Sequence, residues 1–166
     1  MKAVGIFYGS TSGTTRKIAE KIKKALGKEA HLHNIHESDV KAIAQYENLV
    51  FGTSAWGIGD MQDDWEHFID NLNEIDFKGK KVALFGLGDQ EEYPDSFVDG
   101  LGTMYCRLPD KSVVVGEWPK DGYNFYFSLA EKDGKFVGLV LDEHHQADLS
   151  DDRIQKWVKD LKKAFN

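Results

Sequence analysis

The sequence predicts an α/β fold in which a parallel sheet carries helices on both of its faces. Five short apolar runs, at residues 2–8, 29–35, 48–53, 81–86 and 112–118, alternate with segments of helical period. Parallel strands need a crossover between them, usually a helix, so this alternation is typical of βαβ units. The chain contains no internal repeat, linker or low-complexity segment. This absence supports a single domain.

The first helix is predicted between the first two strands, where apolar residues recur at spacings of three and four. Gly27 follows them, and glycine is the residue type that most often ends a helix. The apolar positions are Ile18, Ala19, Ile22, Ala25 and Leu26. This pattern predicts one buried helix face.

The last helix is predicted to begin at Ser150. The Ser150 hydroxyl can cap the first turn, and Asp151 and Asp152 suit the positive end of the helix dipole. The buried stripe that this helix predicts consists of Ile154, Trp157, Val158, Leu161 and Phe165.

The segment at 122–141 interrupts the alternation beside the fifth strand. Its residues Tyr123, Phe125, Phe127 and Leu129 alternate as in a strand, and Asp133-Gly134 has the sequence of a tight hairpin turn. An insertion beside the fifth strand is therefore expected.

Composition limits the class of protein. The 166 residues, 41% hydrophobic, suffice for one core, which predicts a single domain over residues 1–166. A formal net charge of −7 disfavours nucleic acid and anionic membranes as partners. The single Cys106, which we expect in the core, excludes an intramolecular disulfide, and no run is long enough to cross a bilayer. A reduced, cytoplasmic location is expected, with no signal peptide at the N-terminus.

The loop after the first strand has the chemistry of an anion site. Residues 10–15, Ser-Thr-Ser-Gly-Thr-Thr, offer five hydroxyls and a glycine at the start of a helix. Helix N-termini attract anions through unpaired N–H groups and the helix dipole. The spacing matches neither a Walker A loop nor the dinucleotide fingerprint. The alternative is a helix cap with no ligand.

Two further loops at the same end of the sheet each carry an aromatic residue. Trp56 stands among small residues after the third strand, and Tyr93 lies on a glycine-bearing loop after the fourth. Either ring alone is more often core packing, but together with the anion loop they indicate a site for a phosphorylated planar heterocycle.

In order and separation, the three loops resemble those of long-chain flavodoxins, and the resemblance spans essentially the whole chain. It implies the flavodoxin-like doubly wound five-stranded sheet in the order 2-1-3-4-5, with an insertion splitting strand 5. It also implies non-covalently bound FMN, with the phosphate on the first loop and the flavin between Trp56 and Tyr93. The cofactor-binding residues so implied are Ser10, Thr11, Ser12, Gly13, Thr14, Thr15, Ser54, Ala55, Trp56, Gly57, Ile58, Gly59, Leu87, Gly88, Asp89, Tyr93 and Ser96.

The resemblance implies an electron-transfer protein with no catalytic residues and no metal, a low-potential one-electron carrier that uses the semiquinone/hydroquinone couple. The Gly57-Ile58 peptide would turn over on one-electron reduction. The expected partners are basic redox proteins, such as a flavodoxin/ferredoxin-NADP reductase or a low-potential acceptor enzyme, and the expected state is a monomer. The alternatives are an FMN-dependent NAD(P)H:quinone reductase-like flavoenzyme and, from the strand order, a response-regulator-like domain.

Charge patterning adds two expectations. Residues 60–100 contain twelve Asp or Glu against three lysines, a local balance of −9, which predicts an acidic collar around the flavin loops. His144 and His145 occupy a stretch that is often acidic in the family, so they predict a surface charge that depends on pH.

Overall fold

The chain folds as alternating strands and helices in a computed structural model that describes residues 1–56 and 60–166; the Trp56 side chain lies outside this description. The strands are β1 Val4–Tyr8, β2 Ala30–Asn34, β3 Asn48–Trp56, β4 Asp60–Met61, β5 Lys81–Leu87, β6 Val114–Val115, β7 Trp118–Pro119, β8 Glu131–Lys132, β9 Lys135–Phe136 and β10 Leu139–Leu141. The α-helices are α1 Thr14–Leu26, α2 Val40–Ala44, α3 Asp63–Phe68, α4 Asp99–Arg107 and α5 Ala147–Ala164, and short 3-10 helices lie at Ile35–Glu37, Ile69–Glu74 and Lys111–Val113.

The central sheet has the order β2-β1-β3-β5-β10, and these five strands are parallel. β6 also pairs with β5, through Val82 and Val114 at the start of that strand, whereas β10 pairs with its end. The fifth position of the sheet is thus filled by two strand pieces. The predicted fold class, the strand order and the split fifth strand are all confirmed.

The insertion between the two pieces forms a small antiparallel sheet in the order β7-β9-β8. Asp133 and Gly134 turn the β8–β9 hairpin with positive φ angles of 54° and 81°, as predicted for this dipeptide. Tyr123 fastens the insertion to the main sheet, because its hydroxyl donates to the Val140 carbonyl at 2.5 Å. Burial raises the pKa of Tyr123 to about 12.

The predicted strand through residues 123–129 is wrong. This stretch is irregular, and its backbone bonds go to the β5–α4 connection, where the Tyr126 N–H donates to the Pro94 carbonyl at 2.8 Å. Tyr123 and Phe125 pack on the Phe97 ring, but Phe127 faces outward.

α1 forms as predicted. Ile18, Ala19, Ile22 and Leu26 are buried, and the N–H of Gly27 closes the helix on the Lys23 carbonyl at 2.9 Å. Gly27 adopts a φ of 98°, which explains the residue type at this position.

α5 departs from the prediction at its start. It begins at Ala147, one turn earlier than expected, and Ser150 lies within it, fully buried. The earlier start follows from Asp142, whose carbonyl accepts the Gln146 N–H and whose side chain accepts the N–H groups of His144 and His145. The predicted stripe from Ile154 to Phe165 is buried, which confirms it.

Cys106 is exposed, so its expected place in the core is wrong. α4 buries Leu101 and Met104, and Leu108 follows on the same face. Cys106 lies two residues from Met104, which places it on the opposite side of the helix. In the part of the chain that the structure describes, no helix is long and apolar enough to cross a membrane.

Candidate functional site

A cavity of about 390 Å³ opens at the carboxyl ends of β1, β3 and β5. This is the edge at which open parallel sheets bind ligands, and the volume lies within the usual range for small-molecule sites. The lining residues are Thr11, Ser12, Thr14, Thr15, Ser54, Ala55, Leu87, Gly88, Asp89, Glu92, Tyr93, Ser96, Val98, Glu143 and His144.

One end of the cavity, which we call the anion end, is formed by residues 10–15. Gly13 adopts a φ of 94° and provides no side-chain cap for α1, so the first-turn N–H groups keep their hydrogen-bonding capacity. Four hydroxyl side chains line the cavity beside them. The Ser10 hydroxyl instead accepts the N–H of Gly13 at 3.0 Å and holds the loop in shape. Together these donors suit a phosphate group.

Gln62 supports the anion end from behind. Its amide nitrogen donates to the Thr11 hydroxyl at 3.2 Å, and its amide oxygen accepts the N–H of Asp64 and of Trp65 at the start of α3. The Gln62 backbone N–H donates to the Thr53 hydroxyl on β3 at 3.0 Å. This buried residue therefore joins the first loop to the third strand. It was not predicted, because glutamine is not among the residue types that usually cap a helix, although its side chain caps α3 here.

The other end, which we call the ring end, has apolar walls and, among the residues that the structure describes, one exposed aromatic ring. Ala55, Leu87 and Val98 form the walls, and Tyr93, 42% exposed, stands on the rim. Gly88 lets the two ends of the β5–α4 connection approach each other, because a Cβ there would lie 2.5 Å from Val98 Cγ1. An apolar slot beside an accessible ring suits a planar heterocycle.

Val98 has a left-handed backbone, with φ at 48°, and immediately precedes α4. A β-branched residue rarely adopts this conformation, and such strain clusters at functional sites. The side chain is nonetheless buried and lines the cavity.

The connection between β5 and α4, residues 88–98, carries Tyr93, and we call it the Tyr93 loop. Hydrogen bonds within its own turn hold it in shape. The Tyr93 N–H donates to the Asp89 carbonyl at 3.0 Å, and the Asp89 side chain accepts the N–H groups of Glu91 and Glu92. Burial alone would raise the pKa of Asp89. The hydrogen bonds from Glu92 and His145 outweigh it and hold this pKa below its usual value.

The acidic cluster expected from residues 60–100 is only partly at the cavity. Glu66 and Asp70 pair with Arg107 on the far end of α4, at 2.7 and 2.9 Å. Asp89 and Glu92 do line the cavity, and Glu143 joins them from the β10–α5 connection. One oxygen of Glu143 is buried and accepts no hydrogen bond from the described residues.

The structure brings most of the predicted site residues together. Those that line the cavity are Thr11, Ser12, Thr14, Thr15, Ser54, Ala55, Leu87, Gly88, Asp89, Tyr93 and Ser96, with Ser10 and Gly13 shaping the loop. The Trp56 side chain and residues Gly57, Ile58 and Gly59, including the predicted peptide switch, lie outside the described residues. Four lining residues were not predicted to bind: Glu92, Val98, Glu143 and His144.

Comparison with known proteins gives consistent results. The family model described as Flavodoxin matches residues 6–157. A Nostoc flavodoxin is 43% identical over 166 residues, covering 99% of this chain and 98% of the relative. The flavodoxin of Haemophilus influenzae is 44% identical over 164 residues, covering 97% and 94%. The crystal structure of Fusobacterium nucleatum flavodoxin bound to flavin mononucleotide superposes with a TM-score of 0.94 at 36% identity and covers all of both chains. This chain therefore belongs to the flavodoxin family.

Proposed function

We propose that this protein is a one-electron carrier that binds FMN in the cavity at the carboxyl ends of β1, β3 and β5. The observation that carries the proposal is the joining of an anion-binding helix start to an apolar slot with an aromatic rim. The Fusobacterium relative of the same fold is bound to the same cofactor. As a flavodoxin, the protein transfers electrons and does not transform a substrate of its own.

The anion end fits the FMN phosphate. The hydroxyls of Thr11, Ser12, Thr14 and Thr15 and the first N–H groups of α1 would hold it. No Lys or Arg stands between Lys2 and Arg16, so hydroxyls, amides and the helix dipole would supply the attraction. Riboflavin, which lacks this phosphate, would lose those contacts.

The ring end would fix the flavin and adjust its redox properties. FMN, when bound, supplies the one-electron chemistry, and the protein sets its potential through stacking and charge. Asp89, Glu92 and Glu143 disfavour added negative charge in the cavity that they line. At an effective dielectric of about 40, one carboxylate about 10 Å away contributes about 0.8 kcal/mol before salt screening. Several such charges lower a one-electron potential by on the order of 100 mV, which makes the reduced protein a strong reductant.

Redox proteins are the partners, and we propose that they are basic ones which dock over the rim of the ring end. No Lys or Arg stands between Lys81 and Arg107, or between Lys120 and Lys132. Within the second stretch Tyr126 and Phe127 are exposed, and the backbone of both is bonded to the Pro94 carbonyl next to Tyr93. An acidic rim around exposed apolar side chains suits a small, salt-sensitive interface.

A flavodoxin/ferredoxin-NADP reductase or a low-potential acceptor enzyme has the required chemistry. We propose further that the protein works as a monomer in the cytoplasm, where the exposed Cys106 thiol would stay reduced.

Identification of the released flavin tests the cofactor. The purified protein is denatured and the flavin separated by chromatography, and FMN in a ratio of about one per chain is expected. FAD or riboflavin as the dominant species, or a failure of the flavin-free protein to bind added FMN, would contradict the proposal. Absorbance during stepwise anaerobic reduction then shows whether electrons are accepted one at a time.

Electron transfer to cytochrome c, a basic haem protein used as a probe, tests the docking surface. The rate constant should fall as ionic strength rises. Asp95→Lys, at the acidic rim, should reduce the rate at low salt, whereas Asp160→Lys in the second half of α5 is the matched control. Equal rates for both variants, or indifference to salt, would argue against this surface.

A further inference from the structure

His145 connects two loops that meet beside the cavity. Its Nε2 lies 2.7 Å from an Asp89 carboxylate oxygen, and its Nδ1 contacts the Glu91 carboxylate. Both carboxylates belong to the β5–α4 connection, which carries Gly88 and Tyr93, whereas His145 belongs to the β10–α5 connection. One imidazole therefore spans the two connections with both of its nitrogens.

The His145 backbone is anchored from the opposite side. The fully buried Asp142 accepts the N–H of His144 and of His145 on one oxygen, and the N–H and side-chain amide of Gln90 on the other. The four donors leave Asp142 fully satisfied. His145 thus projects from a fixed base. Asp142 already joins the Tyr93 loop to this base through Gln90, and His145 adds a second attachment to the same loop through Asp89 and Glu91.

The arrangement requires a charged imidazole. Only the imidazolium has two N–H donors, and a neutral ring would set a lone pair against one of the two carboxylates. The charged groups that face His145 are Asp89 and Glu91 from one connection and Asp142 from its own, with Glu143 and the His144 ring adjacent. Partial desolvation alone would lower the pKa of His145. Asp89, Asp142 and Glu91 outweigh it and raise this pKa above the usual value.

We propose that His145 is a positioning residue whose protonation holds the Tyr93 loop against the β10–α5 connection, so that cofactor affinity falls when rising pH removes that proton. The inference rests on the proposed function, since the loop matters because it carries part of the cofactor site. Apparent affinity scales with the fraction of molecules whose loop is in place. Loss of the proton removes one of the two contacts that His145 makes with the loop, so this fraction decreases.

The direction of the pH effect follows from the raised pKa of His145. The link contributes fully below the unfolded pKa of about 6.5 and is lost as pH rises through the higher folded value. The pKa of Asp89 is lowered, so Asp89 keeps its charge across this window and loses it only in acid.

The test measures dissociation constants of the flavin-free protein for FMN and for riboflavin between pH 5.5 and pH 9. The parent should bind riboflavin about three- to tenfold more weakly at the upper end, because fewer molecules hold the loop in place once the imidazole is neutral. Riboflavin is essential because it has no phosphate. The second ionisation of a phosphate monoester lies near pH 6, and it would change the affinity for FMN in the direction opposite to the proposed effect of His145. NMR titration of the imidazole should place the His145 midpoint above 6.5.

Three variants separate the possibilities. His145→Asn should bind riboflavin more weakly than the parent at pH 6. Its dissociation constant should not change with pH and should equal the parent's at pH 9. Glu91→Gln keeps the contact between His145 and Asp89 but removes one of the two carboxylates. The riboflavin dissociation constant should therefore still rise with pH, with its midpoint at a lower pH than in the parent. His31→Asn, on the exposed face of β2, is the matched control and should follow the parent.

A His145→Asn profile equal to that of the parent would overturn the inference and leave the cofactor proposal intact. A parent that binds neither flavin at any pH would overturn both. If His145→Asn fails to fold, a Glu91→Gln midpoint identical to the parent's would by itself refute the link.

Discussion

The two ends of the cavity are built in different ways. The anion end comes from one connection, residues 10–15, whose hydroxyls, glycine and helix start are contiguous in the chain. The ring end comes from three separate parts of the chain, with Ala55 at the end of β3, Leu87 at the end of β5 and Glu143 in the β10–α5 connection. A contiguous site depends on local backbone geometry, whereas a composite site depends on the bonds that fix its loops to one another.

The two ends also differ in the interaction that they offer. Hydrogen bonds to an ionised phosphate are directional and contribute about 1.5–3 kcal/mol each, whereas a stacked aromatic pair adds about 0.5–1.5 kcal/mol beyond area burial. FMN would use both ends and riboflavin only one. Paired measurements with the two flavins therefore assign the effect of a substitution to one end or the other.

The largest effect is expected from Thr15→Ala at the anion end. Thr15 is buried and lines the cavity, so loss of its hydroxyl should weaken FMN binding by about 10- to 100-fold. Riboflavin affinity should change by less than about twofold. Ser112→Ala, which removes an exposed hydroxyl on the 3-10 helix before β6, is the matched control. Equal losses for both flavins would mean that the loop is only a helix cap.

Tyr93→Ala should have the next largest effect and should act on both flavins alike. Loss of the rim aromatic removes stacking and admits water, so both dissociation constants should rise by about tenfold, and the second one-electron potential should increase. Tyr126→Ala is the control, because Tyr126 is 80% exposed and lines a neighbouring hollow. If the two tyrosine variants bind and reduce identically, Tyr93 does not touch the ring.

The sequence could predict the local features of the fold and the site, but not those that depend on contacts between distant parts of the chain. Local features, such as the helix that begins at the end of the 10–15 loop and the Asp133-Gly134 turn, depend on near neighbours, and both agree with the structure. Features decided by tertiary contacts were missed. Asp142 starts α5 a turn early, and the left-handed Val98 has no sequence pattern that would mark it. Packing between distant connections, not propensity, determines such positions.

Gln62→Leu should have a smaller effect on affinity and a larger one on stability. The substitution leaves the N–H groups of Asp64 and Trp65 without their acceptor and frees the Thr11 hydroxyl. We expect a loss of about 1–3 kcal/mol in the free energy of unfolding, and FMN binding weakened a few-fold with riboflavin unaffected. Gln155→Leu, exposed on α5, is the control. Denaturant titration and flavin titration measure the two quantities. Loss of riboflavin binding together with FMN would show that Gln62 supports the whole cavity.

The smallest effect is expected at Asp99, behind the ring end, and its size depends on pH. Asp99 is 6% exposed and accepts the Leu129 N–H at 2.7 Å, which joins the insertion to the first turn of α4. Burial raises the pKa of Asp99, so the folded state holds this proton more tightly than the unfolded chain does. The free energy of unfolding therefore decreases as pH rises from about 3.8 through the folded pKa.

Asp99→Asn keeps an acceptor oxygen for Leu129 and has no charge to desolvate. Its midpoint of thermal unfolding should therefore equal the parent's near pH 3.5 and lie a few degrees above it at pH 7, a gain of under about 1 kcal/mol in the free energy of unfolding. Flavin affinity should stay within about twofold of the parent's, because Asp99 does not line the cavity. Thermal unfolding of the flavin-free protein at the two pH values measures the difference. A variant that is less stable than the parent at pH 7 would mean that the charge at the start of α4 stabilises the helix by more than its burial costs.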